Sequence, residues 1–278
     1  MSAYKIIGDS CTDLTREMMD TGCFVKVPLT IEVGRDTIID DETLDQKDLL
    51  ARMASYSDAP QTACPSPAQY LAEYEDGKDN YVITLSARLS GSYNAAMQAV
   101  SIYKEEGGTG NVYVFNSRSA SSGQVQIALL VRDLCEKGLP FEEVVAQVEA
   151  YISRMQTLFV LENLDNLRKN GRLTRMQAIV TGALRVKLFM GATREGEIEK
   201  LGQGLSTKQT LARMISAVVA DEDHAGRRLV ISHCNCPERA EYLREQFMER
   251  CRFSEILVVP TFGISTVYAY DGGAIIAY

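Results

Sequence analysis

Tryptophan is absent from this chain, and histidine occurs only twice in its 278 residues. The scarcity of histidine carries the larger consequence, because a nucleophilic serine needs a base and imidazole is the usual one. His224 lies in the charged turn DEDHAGRR, where a solvated surface position is expected. His233 closes the strand-like RLVISH just before a helix, where a structural or capping role is expected. No G-x-S-x-G elbow, P-loop or G-x-G-x-x-G occurs. HCNC at 233–236 has no second Cys/His pair at zinc-like spacing, so neither a metal nor a cofactor is expected. GGTG at 107–110 falls between the end of a helix and a strand and reads as a turn.

Apolar runs of the ~18–20 residues needed to cross a bilayer are missing, and the start MSAYKIIGDS lacks the apolar stretch of a secretory signal. A soluble, cytoplasmic protein is the expectation. Lys/Arg-rich blocks are missing too: 29 basic against 37 acidic residues give a formal charge of −8, which repels nucleic acid and anionic membrane surfaces. The seven cysteines, odd in number and irregular in spacing, do not make a disulfide framework and are expected to be thiols.

What the chain does contain is a 46 % apolar fraction, enough for a real core, arranged as short strands alternating with longer helical patterns. KIIGDS, FVKVPLTIEV, YVITL and NVYVFNS read as strands; DLTREMMDTG, DQKDLLARMASY, PAQYLAEYEDG, SYNAAMQAVSIY, SGQVQIALLVRDLCEKG and FEEVVAQVEAYISRM read as helices. Such alternation predicts an α/β fold with a mainly parallel sheet. From about residue 154 the texture changes to a hairpin around GATREGEIEK, the helix STKQTLARMISAVVADE, the strand RLVISH, the helix ERAEYLREQFMERC, the strand EILVVPTFG and a terminal AIIAY. Two α/β domains are therefore expected, residues 1–153 and residues 154–278.

Three polar loops, GDSCTD, TLSARLSGS and FNSRSASSG, each follow a strand's carboxyl end, the edge at which open α/β sheets collect ligands. A single site is expected there. Within LSARLSGSYNAA, Ser90, Gly91 and Ser92 stand at a helix N-terminus, where amides without intrahelical acceptors and a partial positive charge favour an anion. A plain capping role for Ser90 satisfies the same spacing. Thr62, held among the prolines of PQTACPSP, is a second candidate hydroxyl, or an ordinary turn threonine. Hydroxyls and backbone amides without an acid, base or metal beside them would bind an anion and leave it intact.

DSCTDL (9–14), VPLTIEV (27–33), TACPSPAQY (62–70), ITLSARLSGSYNAA (83–96), VFNSRSASSG (114–123) and LENLDNLRKNGRL (161–173), with ILVVPTFGIS near the end, occur in the order of the DegV family of bacterial fatty-acid-binding proteins, which the chain resembles. The resemblance implies two α/β domains enclosing a long-chain fatty acid between them. It implies that Thr62 and Ser90 take the carboxylate, that Gly91 allows close backbone approach and that Ser92 leads the helix, with no neighbouring Lys or Arg required. Ser10, Ser86, Ala269 and Tyr270 are the candidate neighbours of the head group. The chain departs from the family at two points: Ala269, in YAYDGG, stands where a T-H-T-G-P-G-like motif carries histidine, and Leu205 falls near a usual arginine. Members with both residues resemble carriers that present an acyl group to a fatty-acid kinase, so these departures argue for binding and against that partnership. Tyr268 or Tyr270 could supply a replacement hydroxyl. Two alternatives remain open at this point: a serine-dependent acyl hydrolase or transferase, separated by turnover of an acyl ester, and a binder of a small anionic metabolite, separated by whether a fatty acid is retained.

Overall fold

The computed structural model describes residues 3–173 and 186–278. In chain order the elements are β1 (Tyr4–Asp9), α1 (Arg16–Met19), β2 (Phe24–Val27), β3 (Thr30–Val33), β4 (Asp36–Ile39), α2 (Gln46–Ser55), β5 (Gln61–Ala63), α3 (Pro67–Leu71), β6 (Asp79–Thr84), α4 (Ser92–Glu105), β7 (Asn111–Asn116), α5 (Ser122–Glu136), α6 (Phe141–Ile152), β8 (Thr157–Val160) and α7 (Asp165–Lys169). After residue 186 come β9 (Lys187–Ala192), β10 (Ile198–Gly204), α8 (Thr207–Ala220), β11 (Arg228–His233), α9 (Pro237–Arg250), β12 (Glu255–Pro260), α10 (Gly263–Ala269) and β13 (Ala274–Ala277).

The α/β expectation holds. A four-stranded parallel sheet runs β2-β1-β6-β7, and β1 and β6 end in runs of buried residues because helices cover both faces. Ile6, Tyr81, Ile83 and Phe115 pack with Val125, Ile127, Val144 and Val148 of α5 and α6, while Ile7 and Val82 pack with Ala95, Ala96 and Ala99 of α4. A six-stranded mixed sheet runs β10-β9-β8-β13-β11-β12, with β9 and β10 forming the expected hairpin. Gln126 of α5 donates to the carbonyls of Arg228 and Ala277, tying the parallel sheet's helix to this second sheet.

Three local expectations are corrected. FVKVPLTIEV is two strands, not one: β2 joins the parallel sheet, and β3 joins a separate antiparallel sheet β4-β3-β5. Pro28 lies at the break, where it can donate no ladder hydrogen bond. DLTREMMDTG makes only the single turn of α1, stopped where Gly22 adopts φ +75°. His224 is buried, at 7 % exposure, with its ring against Phe253 and Nδ1 on the carbonyl of Asp221, because the short turn at Glu222–His224 folds it inward from an otherwise charged segment. All seven cysteines are free thiols. No helix among the described residues is long and apolar enough to cross a membrane.

Candidate functional site

The loops after β1, β6 and β7 meet at the carboxyl edge of the parallel sheet, and hydrogen bonds lock them together. Asp9 Oδ2 accepts from Leu85 N at 2.7 Å and Asp9 Oδ1 from Gln124 Nε2 at 2.8 Å. Ser86 N donates to Ser119 O at 2.9 Å. The third loop is tightly wound: Arg118 and Ser121 both take positive φ, 52° and 51°, a conformation non-glycine residues rarely adopt.

These loops form one wall of a cavity of about 90 Å³, several times the roughly 10–15 Å³ one water needs. Leu85, Leu89 and Ala120 face it from the first half; Phe159 of β8, Ile275 of β13, and Ile264 and Ala269 of α10 face it from the second. Its lining is overwhelmingly apolar, and it lies between the two sheets.

Arg172 and Tyr268, beside Leu89, are polar members of this lining, as are Arg118, Ser119, Ser121, Thr157, Glu197 and Ser265. Tyr268 hydroxyl and Thr62 Oγ1 are 2.7 Å apart. Arg172 places its guanidinium carbon 5.5 Å from the Tyr268 ring centroid and donates from Nε to Leu89 O at 3.2 Å. Ser90 follows Leu89 directly, and Gly91 lies so close to Cys64, two residues past Thr62, that a β-carbon there would meet Cys64 Sγ at 3.0 Å. Thr62 adjoins the cavity through its bond to Tyr268 and Ser90 through its neighbour Leu89, while Thr62, Ser90, Gly91 and Ser92 themselves are outside the lining. Burial pushes the Tyr268 phenol up, so it stays a hydrogen-bond donor at neutral pH.

Gly91, not Ser90, occupies the geometric N-cap of α4, but Ser90 Oγ accepts from Ser92 N at 3.2 Å and lies 3.0 Å from Ser92 Oγ. The capping role open to Ser90 in the sequence is therefore present. Ala95 N is the first α4 amide to reach a backbone carbonyl, that of Gly91.

The remaining head-group candidates divide. Ala269 lines the cavity, whereas Ser10, Ser86 and Tyr270 are outside its lining. Ser10 is a buried strut whose Oγ accepts from Leu29 N at 3.0 Å, and Ser86 Oγ donates to Gly196 O at 2.7 Å. Of the two tyrosines, Tyr268 is the one joined to Thr62. Leu205 is 79 % exposed, away from the cavity.

Two features were not foreseen. Arg172 supplies a cation where the carboxylate was expected to do without one, and three buried carboxylates stand around the loops where no acid was expected. Asp13 accepts from Ser121 Oγ and, at 2.8 Å, from Phe262 N; Asp40 accepts from Gly263 N and Ile264 N at 2.9 and 2.8 Å. Their partners are structural donors, so they strap α10 and the β7–α5 loop in place. No histidine lines the cavity, and among the described residues no three His, Cys, Asp or Glu side chains gather as a metal site.

Burial pushes Asp9 up to about 6 and Asp13 to about 7, against the hydrogen bonds that hold each down. An unfolded aspartate ionises near ~3.9, so across this window the folded protein retains protons that the unfolded chain releases. The stabilisation contributed by these two groups should therefore be fully present below about pH 4 and be lost as the pH rises to about 7. His233, whose burial lowers its pKa, acts oppositely below its unfolded value near ~6.5. Asp13→Asn is accordingly expected to flatten the decline in melting temperature between pH 4 and 7; an unchanged slope would remove Asp13 from the account.

The family model described as an uncharacterised protein of the DegV family matches residues 3–277. A DegV domain-containing protein of Streptococcus pneumoniae is 35 % identical over 99 % of this chain and 98 % of its own length. A solved DegV-family structure from Ruminococcus gnavus, refined with vaccenic acid, is 43 % identical with a TM-score of 0.94, covering 100 % of this chain and 99 % of that one. The Streptococcus pneumoniae Fatty Acid Kinase B3 protein, loaded with linoleic acid, is 32 % identical with a TM-score of 0.89, covering 100 % and 99 %.

Proposed function

The chain belongs to the DegV family, and we propose that it binds a long-chain fatty acid without transforming it. The observation that carries this reading is the apolar cavity between the sheets, with Arg172 and the Thr62-bonded Tyr268 among the polar members of its wall. Burial of each CH₂ contributes roughly 0.8 kcal/mol, so the acyl chain dominates affinity. The carboxylate contributes orientation, through charge-assisted bonds from Thr62, Ser90 and the guanidinium of Arg172. Residues 1–153 bring the carboxylate loops and residues 154–278 cover the chain. Similarity to the linoleate-loaded kinase-system protein supports a carrier role, while Ala269 and Leu205, at the positions where the resemblance implies histidine and arginine, put presentation to a kinase in doubt.

The engagement of the imidazole and the buried carboxylates elsewhere supports the reading of binding without chemistry. His233 is turned to Cys236, whose amide donates to Nδ1 at 3.3 Å, and the buried aspartates are already bonded to backbone and side-chain donors. Protein purified under gentle conditions and extracted with organic solvent should release close to one fatty acid per chain. Release of none, together with no uptake of added oleate or palmitate, would overturn the proposal in favour of a small-anion binder.

A further inference from the structure

A second polar site lies on the outer side of the cavity wall. Arg88 from the loop after β6, Arg118 from the loop after β7 and Arg194 from the β9–β10 turn share an open pocket of about 500 Å³ with Ala87, Asn116 and Glu195. Among the described residues none of the three arginines forms an ion pair, a property they share with Arg16, Arg35 and Arg213. Glu195 is the pocket's single carboxylate. In a chain of net charge −8 this is a local excess of cations.

The pocket's frame is fixed by the backbone. Asn116 Oδ1 accepts from Ala87 N at 3.1 Å and Arg118 N at 3.2 Å, which sets the plane of the amide and leaves Nδ2 as a donor. Arg118, at φ 52°, sends Nη1 to the carbonyl of Arg194 at 3.5 Å. Guanidinium groups are planar forks of donors matched to phosphate oxygens, and three around one space repel each other until an anion separates them.

The geometry points to a phosphate-binding site at Arg88, Arg118, Arg194 and Asn116, distinct from the proposed carboxylate site. It would take a soluble phosphate-bearing anion or the phosphate of a lipid headgroup. Because Ser86 Oγ is bonded to Gly196 O, the same three segments also close the apolar cavity, and a bound phosphate would cross-link them from outside. Arg118 lines both the pocket and the cavity, so the two share one residue of the wall between them.

The test uses the full chain at fixed ionic strength with two probes: inorganic pyrophosphate followed by calorimetry, and phosphatidylcholine vesicles with and without phosphatidic acid followed by co-sedimentation. Arg88→Gln with Arg194→Gln removes two exposed partners, and Arg213→Gln, an exposed arginine of α8, controls for net charge. Losing two charged contacts should weaken binding by at least about tenfold, while the control stays near wild type. Pyrophosphate binding that falls in this way identifies a soluble ligand; selective sedimentation that falls without pyrophosphate binding identifies a headgroup. Binding of neither probe, or binding that the double variant and the control lose equally, overturns the site.

Discussion

Asp40→Ala is expected to lower the unfolding free energy by about 2–4 kcal/mol, because it strands two buried amides that cost roughly 1–3 kcal/mol each without an acceptor. Asp40 is 2 % exposed and divides its oxygens between Gly263 N and Ile264 N, the opening amides of α10. Burial raises its pKa, while these amides and Lys26 favour the charged form. Gly263 belongs to the same arrangement: a β-carbon there would meet Asp40 Oδ1 at 2.2 Å, so the carboxylate reaches the helix only over a bare α-carbon. The consequence passes directly to the site, since α10 carries Ile264, Tyr268 and Ala269 into the cavity. Fatty-acid affinity should fall with stability. Asp40→Asn keeps one acceptor and should recover about half of the loss. Denaturant midpoints decide the matter: an Asp40→Ala protein as stable as wild type would show that α10 is held by its apolar contacts alone.

How much of this was legible in the chain depended on whether the signal was local. The parallel strands were readable because YVITL and NVYVFNS carry the β-branched and aromatic residues of buried strands, and the serine loops because each directly follows one. Thr62 and Ser90 could be nominated for the same reason, and in the fold each neighbours a lining residue, Tyr268 and Leu89, without lining the cavity itself. Arg172 stood inside the quoted stretch LENLDNLRKNGRL but was not singled out, because its partner Tyr268 lies nearly a hundred residues away. The carboxylate straps were missed similarly, since Asp13 and Asp40 find their partners more than two hundred positions away. Within GISTVYA every residue but Tyr268 is buried, so the seven-residue α10 shows no amphipathic period to read. The break at Pro28 was the one local signal available and overlooked: a proline in a central strand argues against a single strand.

Thr62→Val combined with Ser90→Ala should raise the Kd for a long-chain fatty acid about a hundredfold, equivalent to about 2.7 kcal/mol. A hydrogen bond to a charged acceptor contributes roughly 1.5–3 kcal/mol, and two are removed. The expected loss is below their sum because Arg172 and the Tyr268 hydroxyl stay in place and take over part of the carboxylate's solvation. Stability should change little, since both side chains are only half-buried and the one strong intramolecular bond lost is that of Thr62 to Tyr268. Residual binding should keep its dependence on chain length, because the roughly 0.8 kcal/mol per buried CH₂ is untouched. Discrimination between the acid and its methyl ester supplies the sharper readout. The wild-type protein should prefer the acid, whose charge these groups complement, and the double variant should lose most of that preference. If the variant binds the acid as tightly as wild type and still rejects the ester, the carboxylate is held by Arg172 and Tyr268 without Thr62 and Ser90, and Arg172→Gln becomes the variant that should abolish the preference.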